Sequence, residues 1–152
     1  MNDARVAAPA GAAPFRAEGR FVWPVRVYWE DTDAGGVVYH ASYLRFLERA
    51  RSEYFRTLGI EQERLRTENA VVFVVRDLRI RFVKPARLDD VLHVVVEIDE
   101  RRPASLAFAQ RIERAADGVL LTEATVRVAC VDVAAMRPRV IPEGLFVENP
   151  NA

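Results

Sequence analysis

The chain is poor in the residues from which disulfides and transition-metal centres are built. Its 152 residues hold one cysteine, two histidines and a single lysine, Lys84. A lone Cys130 in an apolar run closes no intrachain disulfide and anchors no multi-cysteine metal site, and two imidazoles are too few for a transition-metal centre. The expectation is a chain with no metal and no bound redox cofactor, in a reducing, cytoplasmic compartment. An excess of either charge is also missing, because 22 Lys and Arg balance 22 Asp and Glu. Nucleic-acid affinity grows with the phosphates a basic surface neutralises, so a neutral chain has no bulk field to attract DNA or RNA. No segment approaches the ~18–20 apolar residues of a membrane span, nor the apolar stretch of about 7–15 residues of a secretory signal.

What is present suits one globular domain. Hydrophobic residues make up 51% of the chain and charged residues 29%, enough to bury a core and too balanced for a disordered or fibrous polymer. Residues 1–20 are dominated by Ala, Pro and Gly and read as a disordered tail. Residues 21–147 read as the domain, and 148–152 as a C-terminal tail.

Phe21 to Trp29 (FVWPVRVYW) is rich in Val and aromatics and reads as a strand, with Pro24 demanding an edge position or a bulge. From Ala41 to Leu58 the residues Tyr43, Phe46, Leu47, Ala50, Tyr54 and Leu58 fall within an arc of about 120°, with Arg45, Glu48, Arg49, Ser52, Glu53 and Arg56 outside it. That pattern is an amphipathic helix of about five turns, ended by Gly59. A short second helix fits Gln62 to Thr67. Beyond it, strict alternation over Asp77 to Phe82, and of Leu92, Val94, Val96 and Ile98 with polar residues, indicates half-buried antiparallel strands. Leu106, Phe108 and Ile112 continue the pattern, and Asp117-Gly118 signals a tight hairpin into a strand from Val119 to about Val131. Strands of period 2 and one long apolar-faced helix are most economically satisfied by an α+β fold, an antiparallel sheet curling around that helix.

The unusual segment is EDTDAGGVVYH, Glu30 to His40. It sets two carboxylates at alternate positions, then a glycine pair, then a histidine where the helix begins. The first amides of a helix have no internal partner and carry its positive end, so they can hold a developing oxyanion. Asp33 would face the same space as nucleophile or as base for water, which implies acyl transfer or hydrolysis. The plainer reading is that Asp31 or Asp33 caps a turn, the commoner role of such residues. An EF-hand fails on spacing, since Ser42 stands where the bidentate Glu belongs. The glycine pair is no standard phosphate loop, and Ser42, Ser52 and Ser105 lie outside any G-x-S-x-G context. His93, among valines, reads as structural, and Cys130 as a small buried hydrophobe. Arg76, Arg79, Arg81, Lys84 and Arg87 form either a solvated strand face or a rim for a phosphorylated ligand, and spacing does not separate the two.

The run VRVYWEDTDAGGVVYHASYLRFLERARSEYF, Val25 to Phe55, resembles the signature of hotdog-fold acyl-CoA thioesterases of the 4-hydroxybenzoyl-CoA thioesterase superfamily, and within it the branch associated with the Tol-Pal system. The likeness continues through PARLDD, SLAFAQRI and the CVD segment at Cys130 to Asp132. It implies a hotdog fold, a long helix wrapped by an antiparallel sheet. It implies Asp33 as the catalytic carboxylate, His40 as an assisting group, and Gly36, Val37 and Tyr39 along the pocket, with helix amides around Tyr39 and His40 as oxyanion hole. Arg102 and Ser105 match positions that contact CoA phosphates. Relatives often carry tyrosine where Trp29 stands. The resemblance also implies a homodimer, or a tetramer of paired dimers, with sites at the subunit interface. Its substrate would be acyl-CoA, cleaved to a carboxylic acid and CoA. A hotdog dehydratase acting on acyl-carrier-protein substrates and a non-catalytic partner of a cell-envelope or lipid-synthesis complex are the competing readings.

Overall fold

The computed structural model describes residues 13–146. The N-terminal hairpin joins β1 (Phe15–Ala17) to β2 (Arg20–Arg26), so the tail expected through Arg20 does not hold for β1, where three residues pair with β2. Residues 1–12, and the tail expected at 148–152, lie outside the described part. After β2 come a short 3-10 turn (Trp29–Asp31), helix α1 (His40–Thr57), helix α2 (Gln62–Asn69), and strands β3 (Val71–Phe82), β4 (Val91–Arg102), β5 (Ser105–Arg114) and β6 (Leu120–Asp132). All strands join one antiparallel sheet in the order β1-β2-β4-β5-β6-β3.

Register sets which side chains share the helix-facing side. One row across the sheet runs Trp23, Val94, Ile112, Thr122 and Phe82, and a neighbouring row runs Phe21, Val96, Gln110, Ala124 and Ile80. Against these α1 packs Tyr43, Phe46, Leu47, Ala50 and Tyr54, as its periodicity predicts, with Phe55 added and Leu58, the residue after the helix, only partly buried. The helix stops as Gly59 expects. Gly59 takes φ +77°, and the Ile60 and Gly59 amides return to the carbonyls of Phe55 and Arg56, closing the αL turn that spares the last carbonyls. The short helix α2 is present and sends Leu65 into the core. Pro24 meets its expected condition, since β1 covers β2 only as far as Val22 and Pro24 pairs with β4 alone.

The expectation for β3 changes as well. The alternation of Asp77 to Phe82 is real, yet this half of β3 is largely exposed rather than half-buried. β3 closes one end of the sheet, paired only with β6, and α1 packs over the other side, against β2 and β4. The helix-side residues Val75, Leu78 and Phe82 are therefore left in solvent.

Candidate active site

The loop from Tyr28 to Tyr39 is built by its two carboxylates, in different ways. Asp31 is buried; its Oδ2 accepts the Tyr28 amide at 2.8 Å and its carbonyl accepts the Tyr39 amide at 2.8 Å. It thus clasps both ends of the loop, the structural role that turn chemistry allows. Between these ends the chain reverses tightly: the Asp33 amide donates to Val37 and the Gly36 amide donates to Asp33, each at 3.0 Å. Gly36 makes the reversal possible at φ +79°, a conformation that costs a side-chain-bearing residue about 1–2 kcal/mol. Asp33 is exposed, and its Oδ1 accepts the Gly35 amide at 2.8 Å. One oxygen is held in place, and no described group bonds the other. The Val38 amide donates to the Ala86 carbonyl at 2.9 Å, which pins the loop against the segment after β3.

These contacts open a cleft of about 330 Å³ where α1 begins, lined by Asp33, Val37, His40, Tyr43, Phe82 and Lys84 among others. The structure therefore brings together Asp33, His40 and Val37. Gly36 shapes the turn beside them. Tyr39 does not line this wall, and its ring packs against His40 at a tilt of 55° with centroids 4.5 Å apart. Nor is its amide free for an oxyanion, because Asp31 takes it. Among the described residues the amides of His40 and Ala41 have no acceptor, so the open donors lie one position further into the helix than expected.

Arg102 and Ser105 are not brought to this cleft. The cleft lies towards the Val91 end of β4, where Arg26 pairs with it, and Arg102 stands at the opposite end of that strand, which at 12 residues is roughly 35 Å long at an extended rise. There Arg102 pairs with Glu100 at 2.6 Å, Arg127 reaches Glu100 at 2.8 Å, and Arg127 donates to the Ser105 hydroxyl at 3.2 Å. Hydrogen bonds from Arg102 and Arg127, together with their charges, hold the Glu100 carboxyl below its usual range. Trp29 is 80% exposed and stands outside the cleft wall. Lys84, read from sequence as part of a solvated face or a rim for a phosphorylated ligand, lines this cleft, and Tyr43 and Phe82 join it without having been expected there. Tyr43 reads as core and Phe82 as strand, and only the fold turns both toward Asp33. Among the described residues no three His, Cys, Asp or Glu side chains converge as a metal site. No described helix is long and apolar enough to cross a membrane.

A long helix laid on one antiparallel sheet, with a carboxylate loop at its N-terminus, is the architecture of a hotdog-fold thioesterase. The chain belongs to the thioesterase-like superfamily, which matches residues 27–146. It is 52% identical over 128 residues to the acyl-CoA thioester hydrolase YbgC of Escherichia coli O157:H7, covering 84% of this chain and 94% of that one. It is 51% identical over 123 residues to the acyl-CoA thioesterase YbgC of Haemophilus influenzae, covering 81% and 89%. Among solved structures, the probable thioesterase from Bartonella henselae superposes with a TM-score of 0.76 at 36% identity, covering 81% of this chain and 99% of that one.

Proposed function

We propose that this chain hydrolyses the thioester of acyl-CoA to a carboxylic acid and free CoA, with Asp33 as the reacting carboxylate. The observation that carries this reading is the Asp33 side chain itself: one oxygen anchored on the Gly35 amide, the other open in a cleft that begins a helix of 18 residues. The likeness to curated acyl-CoA thioester hydrolases supports the substrate class.

As general base, Asp33 takes a proton from water while the water oxygen bonds to the acyl carbon. The tetrahedral oxyanion then collapses, the C–S bond breaks, and the thiolate recovers that proton from Asp33. As nucleophile, Asp33 forms a mixed anhydride that water opens, with the same products. In either course the His40 and Ala41 amides and the positive helix end hold the oxyanion, and His40 assists proton transfer or positioning. An acyl carrier protein presents the same thioester on the same pantetheine arm and is a second carrier that the cleft could accept. The resemblance to the Tol-Pal-associated branch extends the reading to a cytoplasmic enzyme serving the cell envelope.

The reading includes a homodimer. An unpaired strand edge recruits partners unless it is blocked, and β3 is 12 residues long, open on one side, with Val75 54% and Phe82 48% exposed. A second copy added along β3 would cover these side chains and wall the cleft beside Phe82. Arg102 and Ser105, remote from Asp33 in their own chain, would serve CoA phosphates only at a cleft belonging to another copy.

The decisive experiment is Asp33→Asn, assayed by thiol release from acyl-CoA. The expected result is a fall in kcat of about a hundredfold or more in a folded protein. Activity within a few-fold of the parent would remove Asp33 from the mechanism.

A further inference from the structure

Tyr43 carries a hydroxyl that the core does not account for. The residue is 3% exposed, and its oxygen accepts the Ala86 amide at 3.0 Å. Ala86 in turn accepts the Val38 amide, so Tyr43, Ala86 and Val38 form a clamp along the wall of the Asp33 cleft. A phenol that accepts one hydrogen bond still has its own proton to donate. Among the described residues nothing accepts that proton. A buried donor is expensive to leave unmatched, and this one belongs to a residue that lines the cleft with Asp33 and His40.

The geometry points to a role for Tyr43 in the reaction: we propose that its hydroxyl donates a hydrogen bond to the acyl thioester in the cleft, as a further donor for the oxyanion beside the His40 and Ala41 amides. The inference rests on the reading of this cleft as the thioesterase site. Tyr43 keeps its proton throughout, so no bond to it forms or breaks. Fixed donors aimed at developing charge lower a barrier because they need no reorganisation during the reaction. The charged groups around the phenol suit it to this task. Asp33 acts on it from the loop and Asp90 from the turn before β4, while His40 from the preceding turn of α1 and Lys84 from the segment after β3 line the same cleft. Burial, opposed by the Ala86 amide and aided by Asp90 and Asp33, pushes the phenol above its ordinary value, which keeps it protonated through neutral pH.

The rival account is that Tyr43 only braces Ala86 as an acceptor. Difluorotyrosine at position 43 separates the two, because fluorination lowers the phenol's pKa while a phenolate accepts the Ala86 amide at least as well. A donor is needed protonated, so activity is lost as pH rises through its pKa. The expected result is an alkaline limb of kcat displaced to lower pH by the difference between the two phenols, with KM little changed; a profile that superimposes on the parent overturns the proposal. Tyr43→Phe provides the second measurement, with kcat expected to fall about tenfold or more at KM within twofold. Activity within twofold of the parent in a folded Tyr43→Phe also overturns it. Asp33→Asn runs alongside: an active Asp33→Asn defeats the reading of the cleft, whereas an inactive Asp33→Asn with an unmoved difluorotyrosine profile defeats Tyr43 alone.

Discussion

Asp31 and Asp33 are separated by one residue and have opposite environments. Asp31 is buried against the amides it joins, while Asp33 stands in the cleft with a single bond to Gly35. The turn-capping role therefore describes Asp31 fully and one oxygen of Asp33, and the second Asp33 oxygen is the one the proposed reaction would use. The structure also gives Gly35 a separate reason from Gly36. Gly36 needs its positive φ, whereas a Cβ on Gly35 would lie 3.0 Å from Asp33 Oδ1. Gly35→Ala should therefore displace the carboxylate while leaving the fold intact. Steady-state kinetics are expected to show kcat reduced about tenfold or more, since small misplacement of a reacting group is costly in rate. An unaltered kcat would show that Asp33 tolerates movement.

At the scale of elements, α1 was the most legible part of the chain, and its buried stripe follows from the 3.6-residue period. Arg51 was not legible. It lies on the buried side with the guanidinium bonded to Gln110 Oε1 at 2.9 Å, and Gln110 Nε2 donates to the Leu47 carbonyl at 3.0 Å. Burial pulls the Arg51 guanidinium below its ordinary value, with the Glu48 carboxylate opposing, and its described side-chain acceptor is a neutral amide. A helical pattern shows that an arginine is present and says nothing of a glutamine 59 residues on that crosses the sheet to meet it. Gln110→Leu keeps the apolar volume but strands the cation, so urea denaturation should show a loss of about 2 kcal/mol. Gln110→Glu, which keeps an acceptor, should lose less.

At the scale of the molecule, β3 is the edge along which the proposed dimer would form. Its alternation over Asp77 to Phe82 was legible because period 2 is local, but its exposure was not, because a strand's place in the sheet is set by pairing across 40 or more residues of chain. Sequence position would make β3 a neighbour of β4; the sheet instead puts it beside β6, at the edge. Leu78→Arg places a charge on that edge, on the side facing the helix layer, without disturbing the buried rows. Size-exclusion chromatography with light scattering should show the variant shifted from dimer towards monomer, with activity falling in parallel. A Leu78→Arg protein that stays dimeric and active would move the interface away from β3.

By itself the sequence determined what depends on neighbours along the chain: the amphipathic helix and its glycine stop, the alternating strands, the turn chemistry around Asp33, and the scarcity of histidine and cysteine. Only the tertiary structure decided what depends on residues far apart: that Asp31 is a brace and Asp33 is open, that Tyr39 surrenders its amide to Asp31, that Tyr43 reaches Ala86, and that Arg102 and Ser105 stand a strand's length from the cleft. The reason is physical. Periodicity and turn preference are encoded within a few residues, whereas the direction of a lone side chain, and what it meets, is set by sheet order and register.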